Sequence, residues 1–166
     1  MAKTSFGFEE PQHSPGFCLW QATVVWQRLI KKAIEPYGVA HAQFVLMAIL
    51  LWIEEHHKQS TQAVLVKMSK LDKMTVSKAL NTLSDKEFIT RIESPKDSRT
   101  KVTHLTNKGR ALIQQLIPIV EAVDAQFFGN LEKTIKRVLP SLWRWISSQW
   151  VLVCSLVSGR RYVVAL

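Results

Sequence analysis

Lys73, Met74, Thr75, Ser77, Lys78 and Asn81 fall within nine residues and are interleaved with Val76 and Leu80, with Leu83 just beyond. Val76, Leu80 and Leu83 recur at i, i+4 and i+7, the spacing of a single apolar helix stripe. With successive side chains turned by about 100°, Met74, Lys78 and Asn81 point away from that stripe, and Thr75, Ser77 and Thr82 flank them. Lysine and asparagine hydrogen-bond base edges, and serine and threonine contact bases or phosphates. The chemistry of this face is recognition of a polyanion by charge and hydrogen bonding.

A second polar cluster follows at Ser94-Pro95-Lys96-Asp97-Ser98-Arg99-Thr100, bordered by Arg91 and Lys101. Lys73, Arg91, Lys96 and Lys101 are placed to contact phosphates. Charge supports this reading. Residues 58–110 hold twelve basic and five acidic side chains, whereas 1–57 hold four and five, within a chain of net charge +9. A basic middle beside a near-neutral front half marks a localised polyanion-binding face.

Other chemistries lack their residues. The chain has no nucleophile elbow, phosphate-cradling glycine loop or paired catalytic carboxylates, so the reading is not that of an enzyme, and no cofactor is expected. His56 and His57 are adjacent on a helical pattern and point apart, so they cannot chelate together, and no metal site is expected. Cys18 and Cys154 stand in no metal-ligand spacing, which suits a reducing cytoplasm. Residues 1–16 are polar, with Glu9 and Glu10, and have no basic region followed by an apolar one, so they read as a disordered N-terminus and not as a secretory signal.

The elements that position these groups can be read from periodicity. Residues 17–35 form an amphipathic helix that stops before Pro36. Residues 41–57 form a second, apolar nearly all round between Phe44 and Ile53 and hence buried. Thr61 caps a short helix over 62–70, and Asp72 caps the next, over about 73–86. Alternating runs at 88–93 and 101–105 form two strands joined by the polar loop 94–100. Thr106 caps a long helix to about Leu131, in which Pro118 removes a backbone donor and is expected to kink or break it. The fold class is mainly α with a small β-hairpin.

Asp97-Ser98-Arg99, followed by Leu105-Thr106-Asn107-Lys108-Gly109, resembles the D-x-R…L-T-x-x-G pattern that joins wing to helix in the MarR family of bacterial regulators. Ser14 to Trp20 and His41 to Leu46 are similar to that family's first two helices, so the resemblance spans roughly 14–132. It implies a winged helix-turn-helix with N- and C-terminal dimerisation helices: 17–57 for dimerisation and core, 58–106 for DNA reading, and 107–166 for dimerisation again. It further implies a cytoplasmic homodimer on a palindromic duplex operator, acting as a repressor and released by a small, often phenolic, effector. Residues 73–86 would enter the major groove. Arg99 would enter the minor groove, with Asp97 holding the wing tip and Ser98 and Thr100 beside them. Trp20, Trp26, Phe44 and Trp52 would roof the effector pocket, although core or dimer packing accounts for them as well.

Two features depart from the pattern. The family has glycine where Glu87 stands, so either Glu87 bears a left-handed backbone or the helix ends differently. Residues 142–166 are apolar and tryptophan-rich. Their longest uncharged run, 145–159, is shorter than the ~20 residues a membrane span needs, so no membrane is expected there, and the two readings are dimer packing and a disordered or non-native end. Cys18 occupies a position where oxidant-sensing members carry a reactive thiol, which leaves two alternatives: an oxidant sensor acting through Cys18, or a ligand-binding member with weak or lost DNA binding. The effector, the operator and the regulated genes are not written in the sequence.

Overall fold

The computed structural model describes residues 7–94 and 97–129, without the side chains at 94 and 97–99. The remaining positions, including Lys96, the side chains of Asp97, Ser98 and Arg99, and the tail 142–166, lie outside what is described. Helices α1 (Pro15–Ile34), α2 (His41–Glu55), α3 (Gln62–Ser69) and α4 (Lys73–Asp85) precede an antiparallel hairpin, β1 (Ile89–Ser94) and β2 (Asp97–Leu105), and then α5 (Asn107–Phe128). The chain divides into two compact units, 1–124 and 125–166, and of the second only 125–129 are described.

Each helix start has a chemical reason. Ser14 accepts the Phe17 N–H and Pro15 occupies the first helical position, where a missing N–H costs nothing, so α1 begins two residues earlier than expected. Residues 7–13 are likewise not featureless, because Pro11–His13 form a short 3₁₀ turn. Thr61 caps α3 through the Val64 N–H. Asp72 caps α4 through the Thr75 N–H at 2.8 Å, and its other oxygen accepts the Thr75 hydroxyl at 2.6 Å. That hydroxyl bond, more than the backbone one, holds the Asp72 carboxyl below its ordinary range.

Helix α2, which leaves the α1 direction by 80°, is the centre of the core. Its Leu46, Met47, Leu50 and Ile53 are fully buried, against Ile30 and Ile34 of α1, Leu65 of α3, Val76, Leu80 and Leu83 of α4, and Ile113 and Leu116 of α5. No single described helix is long and apolar enough to cross a membrane. Helix α5 runs through Pro118 as one helix, so of the kink or break expected there, no break occurs. The ring sits on an exposed position, and Leu116 and Val120 on either side stay buried, so core packing on neighbouring turns holds the helix across one missing hydrogen bond.

Chain reversals fall at left-handed residues. Gly38 (φ 64°) turns α1 into α2, Lys70 (φ 58°) ends α3, and Glu87 (φ 60°) joins α4 to β1. Glu87 therefore bears the left-handed conformation itself. Replacing it with glycine is expected to stabilise the chain by about 0.5–1 kcal/mol, since the exposed Lys108–Glu87 pair at 3.5 Å contributes little. Thermal melts of Glu87→Gly check this, and a lower midpoint would contradict it.

His41, at the first turn of α2, packs edge-on to Trp26, whose indole N–H donates to Asp124 at 2.7 Å. Burial lowers the His41 pKa below 6.5, with Asp124 pulling the other way. The folded chain thus prefers the neutral ring more than the unfolded chain does. The stability this adds is full above the unfolded value and is lost as pH falls from there through the lowered one. His41→Gln is expected to flatten the acid limb of midpoint against pH between about 7 and 5. An unaltered limb would remove His41 as its source.

The hairpin pairs Ile89 with Leu105, Thr90 with His104, Arg91 with Thr103, Ile92 with Val102 and Glu93 with Lys101, and its register shifts beyond Glu93. Strand β2 starts at Asp97, so part of the stretch expected as loop is paired. Its root is tied down on three sides. Thr61 bridges Val102, the Thr103 N–H donates to Ser60 O, and the Ser60 hydroxyl donates to Thr103 O. Thr106 caps the Gly109 N–H of α5 while its hydroxyl donates to Glu87 O at 2.7 Å. Glu54, from the last turn of α2, accepts the Leu105 N–H at 2.9 Å and pairs with Arg110 of α5, with His104 3.6 Å away.

Candidate nucleic-acid interface

Helices α3 and α4 are separated by a three-residue turn, 70–72, and α4 has one face on the core and one free. The core face is Val76, Ala79, Leu80 and Leu83. Of the residues expected to read bases, Met74 is 83% exposed, Lys78 and Asn81 are exposed, and Thr75 and Ser77 are half-buried. Thr75 has its N–H and hydroxyl committed to Asp72, so what it offers outward is mainly its methyl group. A bare methionine on a polar helix face costs solvation, and it suits apolar contact with a thymine methyl.

Beside this face a cleft of about 690 Å³ opens between α3, the first turn of α4 and the hairpin. Lys73, Arg91 and Lys101 line it together with Thr61, Gln62 and Thr100. Lys73 and Lys101, with several hydroxyl or amide groups on the same concave wall, make an electropositive cradle for a sugar–phosphate strand. The structure thus brings Lys73, Arg91, Thr100 and Lys101 to one site next to Met74, Lys78 and Asn81.

Arg91 is more engaged than a phosphate contact requires. Nη1 donates to Asn81 Oδ1 at 3.1 Å and Nη2 to Gln62 Oε1 at 3.2 Å. Gln62 escaped the sequence reading because a polar residue in the first turn of a helix is ordinary. Its link to Arg91 spans 29 positions, which no local pattern reveals.

The four aromatic residues expected to roof a pocket are dispersed. Trp20 is largely exposed and stacks on Phe17, Phe44 is buried, Trp26 is half-buried beside His41, and Trp52 is exposed, stacked on His56 and covered by Lys58. None of them lines the groove of about 520 Å³ at the α1–α2 corner, which is formed by Val24, Arg28, Lys31, Glu35, Val39 and His41 among others. Cys18 is exposed in the first turn of α1, and its thiol donates to Gln12 O at 3.1 Å. Among the described residues no group of three His, Cys, Asp or Glu is close enough to hold a metal.

A helix-turn-helix followed by a paired hairpin, with cations gathered between them, defines a winged helix-turn-helix DNA-binding protein. Residues 35–123 match the ArnR1-like, winged-helix domain family. The uncharacterized HTH-type transcriptional regulator YdcH of Bacillus subtilis is 40% identical over 126 residues, which are 76% of this chain and 86% of that one. The chain belongs to the MarR family of winged-helix transcriptional regulators. Its fold is shared with Bordetella bronchiseptica BpsR, whose DNA binding is regulated by 6-hydroxynicotinic acid (TM-score 0.75, 23% identity, 85% of this chain and 98% of that one). It is shared also with a mutant of Escherichia coli MarR complexed with operator DNA (TM-score 0.68, 21% identity, 79% and 91%).

Proposed function

We propose that this regulator acts as a cytoplasmic homodimeric repressor on a palindromic operator. Each α4 enters a major groove through Met74, Ser77, Lys78 and Asn81, and each wing reaches the adjoining minor groove through Arg99. Lys73, Lys96 and Lys101 hold the backbone, with Asp97, Ser98 and Thr100 shaping the wing. The observation that carries this reading is the cleft itself, which places Lys73 and Lys101 beside the exposed polar face of α4. Dimerisation is supported by α1, where Leu19, Trp20, Val25 and Leu29 stay exposed in the single chain, apolar surface that a second copy would cover. Selection of duplex sites from a random pool is expected to return two inverted half-sites about one helical turn apart. No enriched sequence, or a lone half-site bound by a monomer, would refute the reading.

For the effector, the α1–α2 groove favours a small organic anion, because Arg28 and Lys31 outnumber its one acid, Glu35. Release of operator by a hydroxylated aromatic acid, weakened in Arg28→Ala, would support this; equal release in both proteins would not. The exposed Cys18 favours a second reading as an oxidant sensor. Peroxide would then free the operator from wild type and not from Cys18→Ser.

A further inference from the structure

Arg91 stands on β1, yet its guanidinium joins two helices. It donates to Asn81 Oδ1 of α4 and to Gln62 Oε1 of α3, and its Nε is buried with no hydrogen-bond partner. A guanidinium carries five donors and no acceptor. An amide that meets it must turn its oxygen toward the arginine and its NH₂ away, because the opposite orientation sets donor against donor. Asn81 is exposed on the face of α4 offered to DNA, and this contact fixes which end of its amide DNA meets.

We infer that Arg91 is a specificity-determining positioning residue: by holding the Asn81 oxygen it makes Asn81 a donor, so that each half-site carries guanine where Asn81 reads. The inference rests on the operator-binding reading above. A free asparagine suits adenine, whose major-groove edge pairs an acceptor, N7, with a donor, the N6 amino group. An asparagine with its oxygen already engaged suits guanine, whose N7 and O6 are both acceptors. Lys73 and Lys101 line the same cleft and remain for the phosphates, so Arg91 is not needed there.

The test selects duplex sites from a random pool with full-length wild type, Asn81→Ala, Arg91→Lys and Arg91→Met, and measures the salt dependence of binding for each. Wild type is expected to enrich guanine at one position per half-site, and Asn81→Ala to lose that preference and so locate it. Both Arg91 variants are expected to lower the guanine-to-adenine ratio there by about tenfold, since the released amide can turn over. Arg91→Lys retains the charge without the two-pronged fork, so the change must follow the lost fork. The log–log salt slope is expected to stay at the wild-type value in both. Circular dichroism melts establish folding, and if Arg91→Met does not fold, Arg91→Lys still decides. An unaltered base preference in Arg91→Lys, a shallower salt slope in Arg91→Met, or adenine at the Asn81 position in wild type would each overturn the inference. Failure of wild type to enrich any sequence is read before any variant and overturns the operator reading beneath it.

Discussion

Gly109→Ala is expected to lose about 3 kcal/mol or more of folding stability, lowering the melting midpoint by roughly 6–12 °C. Helix α5 starts against the root of the wing, and a Cβ at position 109 would lie 1.9 Å from Phe88 O and 2.8 Å from Phe88 C. Both are backbone atoms, so no side-chain rotation relieves the overlap. The local ties resist displacement too, because the Thr106 N–H donates to Phe88 O and the Thr106 hydroxyl to Glu87 O. Gly16→Ala is the matched control. It sits in the first turn of α1 with nothing within 4 Å of its added Cβ, and alanine is the better helix former. Its midpoint should hold or rise. If Gly109→Ala melts with wild type, the close approach of α5 to the wing root is not a feature of the folded protein.

Operator affinity is expected to fall by about a thousandfold between 50 and 200 mM salt. Lys73, Lys96 and Lys101 from each of two protomers would neutralise about six phosphates, for a log–log slope near −5. Lys101→Ala carries more information than the parent slope. Lys101 lines the cleft on β2 and pairs in register with Glu93, away from the packed core. Its removal from a symmetric dimer deletes two phosphate contacts, so the slope should become shallower by about 1.8, whereas a monomer would give about 0.9. Affinity should drop evenly across operator sequences, because a phosphate contact carries no base information. A flat salt dependence of the wild type would set phosphate contacts aside.

Much of the fold was written in short-range pattern. The i, i+4, i+7 stripe on α4, the caps Thr61 and Asp72, and the alternating runs of the hairpin each depend on neighbours within a few residues, and each stands in the structure where the spacing placed it. The readings that needed distant partners fared differently. Pro118 was expected to kink or break α5 because local backbone chemistry says so, and with Leu116 and Val120 packed on either side the helix does not break. Glu87 left two outcomes open, and its backbone takes the strained one. Arg91 read as a phosphate ligand because a cation next to a wing is one by default. Its bonds to Asn81 and Gln62 arise from three elements meeting, ten and twenty-nine positions apart. The aromatic set failed to converge because helix periodicity assigns a face and does not say what faces it.

The carboxylate of Glu54 touches three elements at once: it belongs to α2, accepts the Leu105 N–H at the foot of the wing, and pairs with Arg110 at the start of α5. Mechanically this is a three-way joint with one pin. The hairpin and the long helix are coupled at α2, because each is fastened to one oxygen of the same carboxylate, Leu105 to Oε1 and Arg110 to Oε2. A tilt imposed on the first turns of α5 would therefore load the foot of the hairpin through that one side chain. The pose of the hairpin is then held in part from α2, by a residue that stands at its foot and fifty-one positions before Leu105 in the chain.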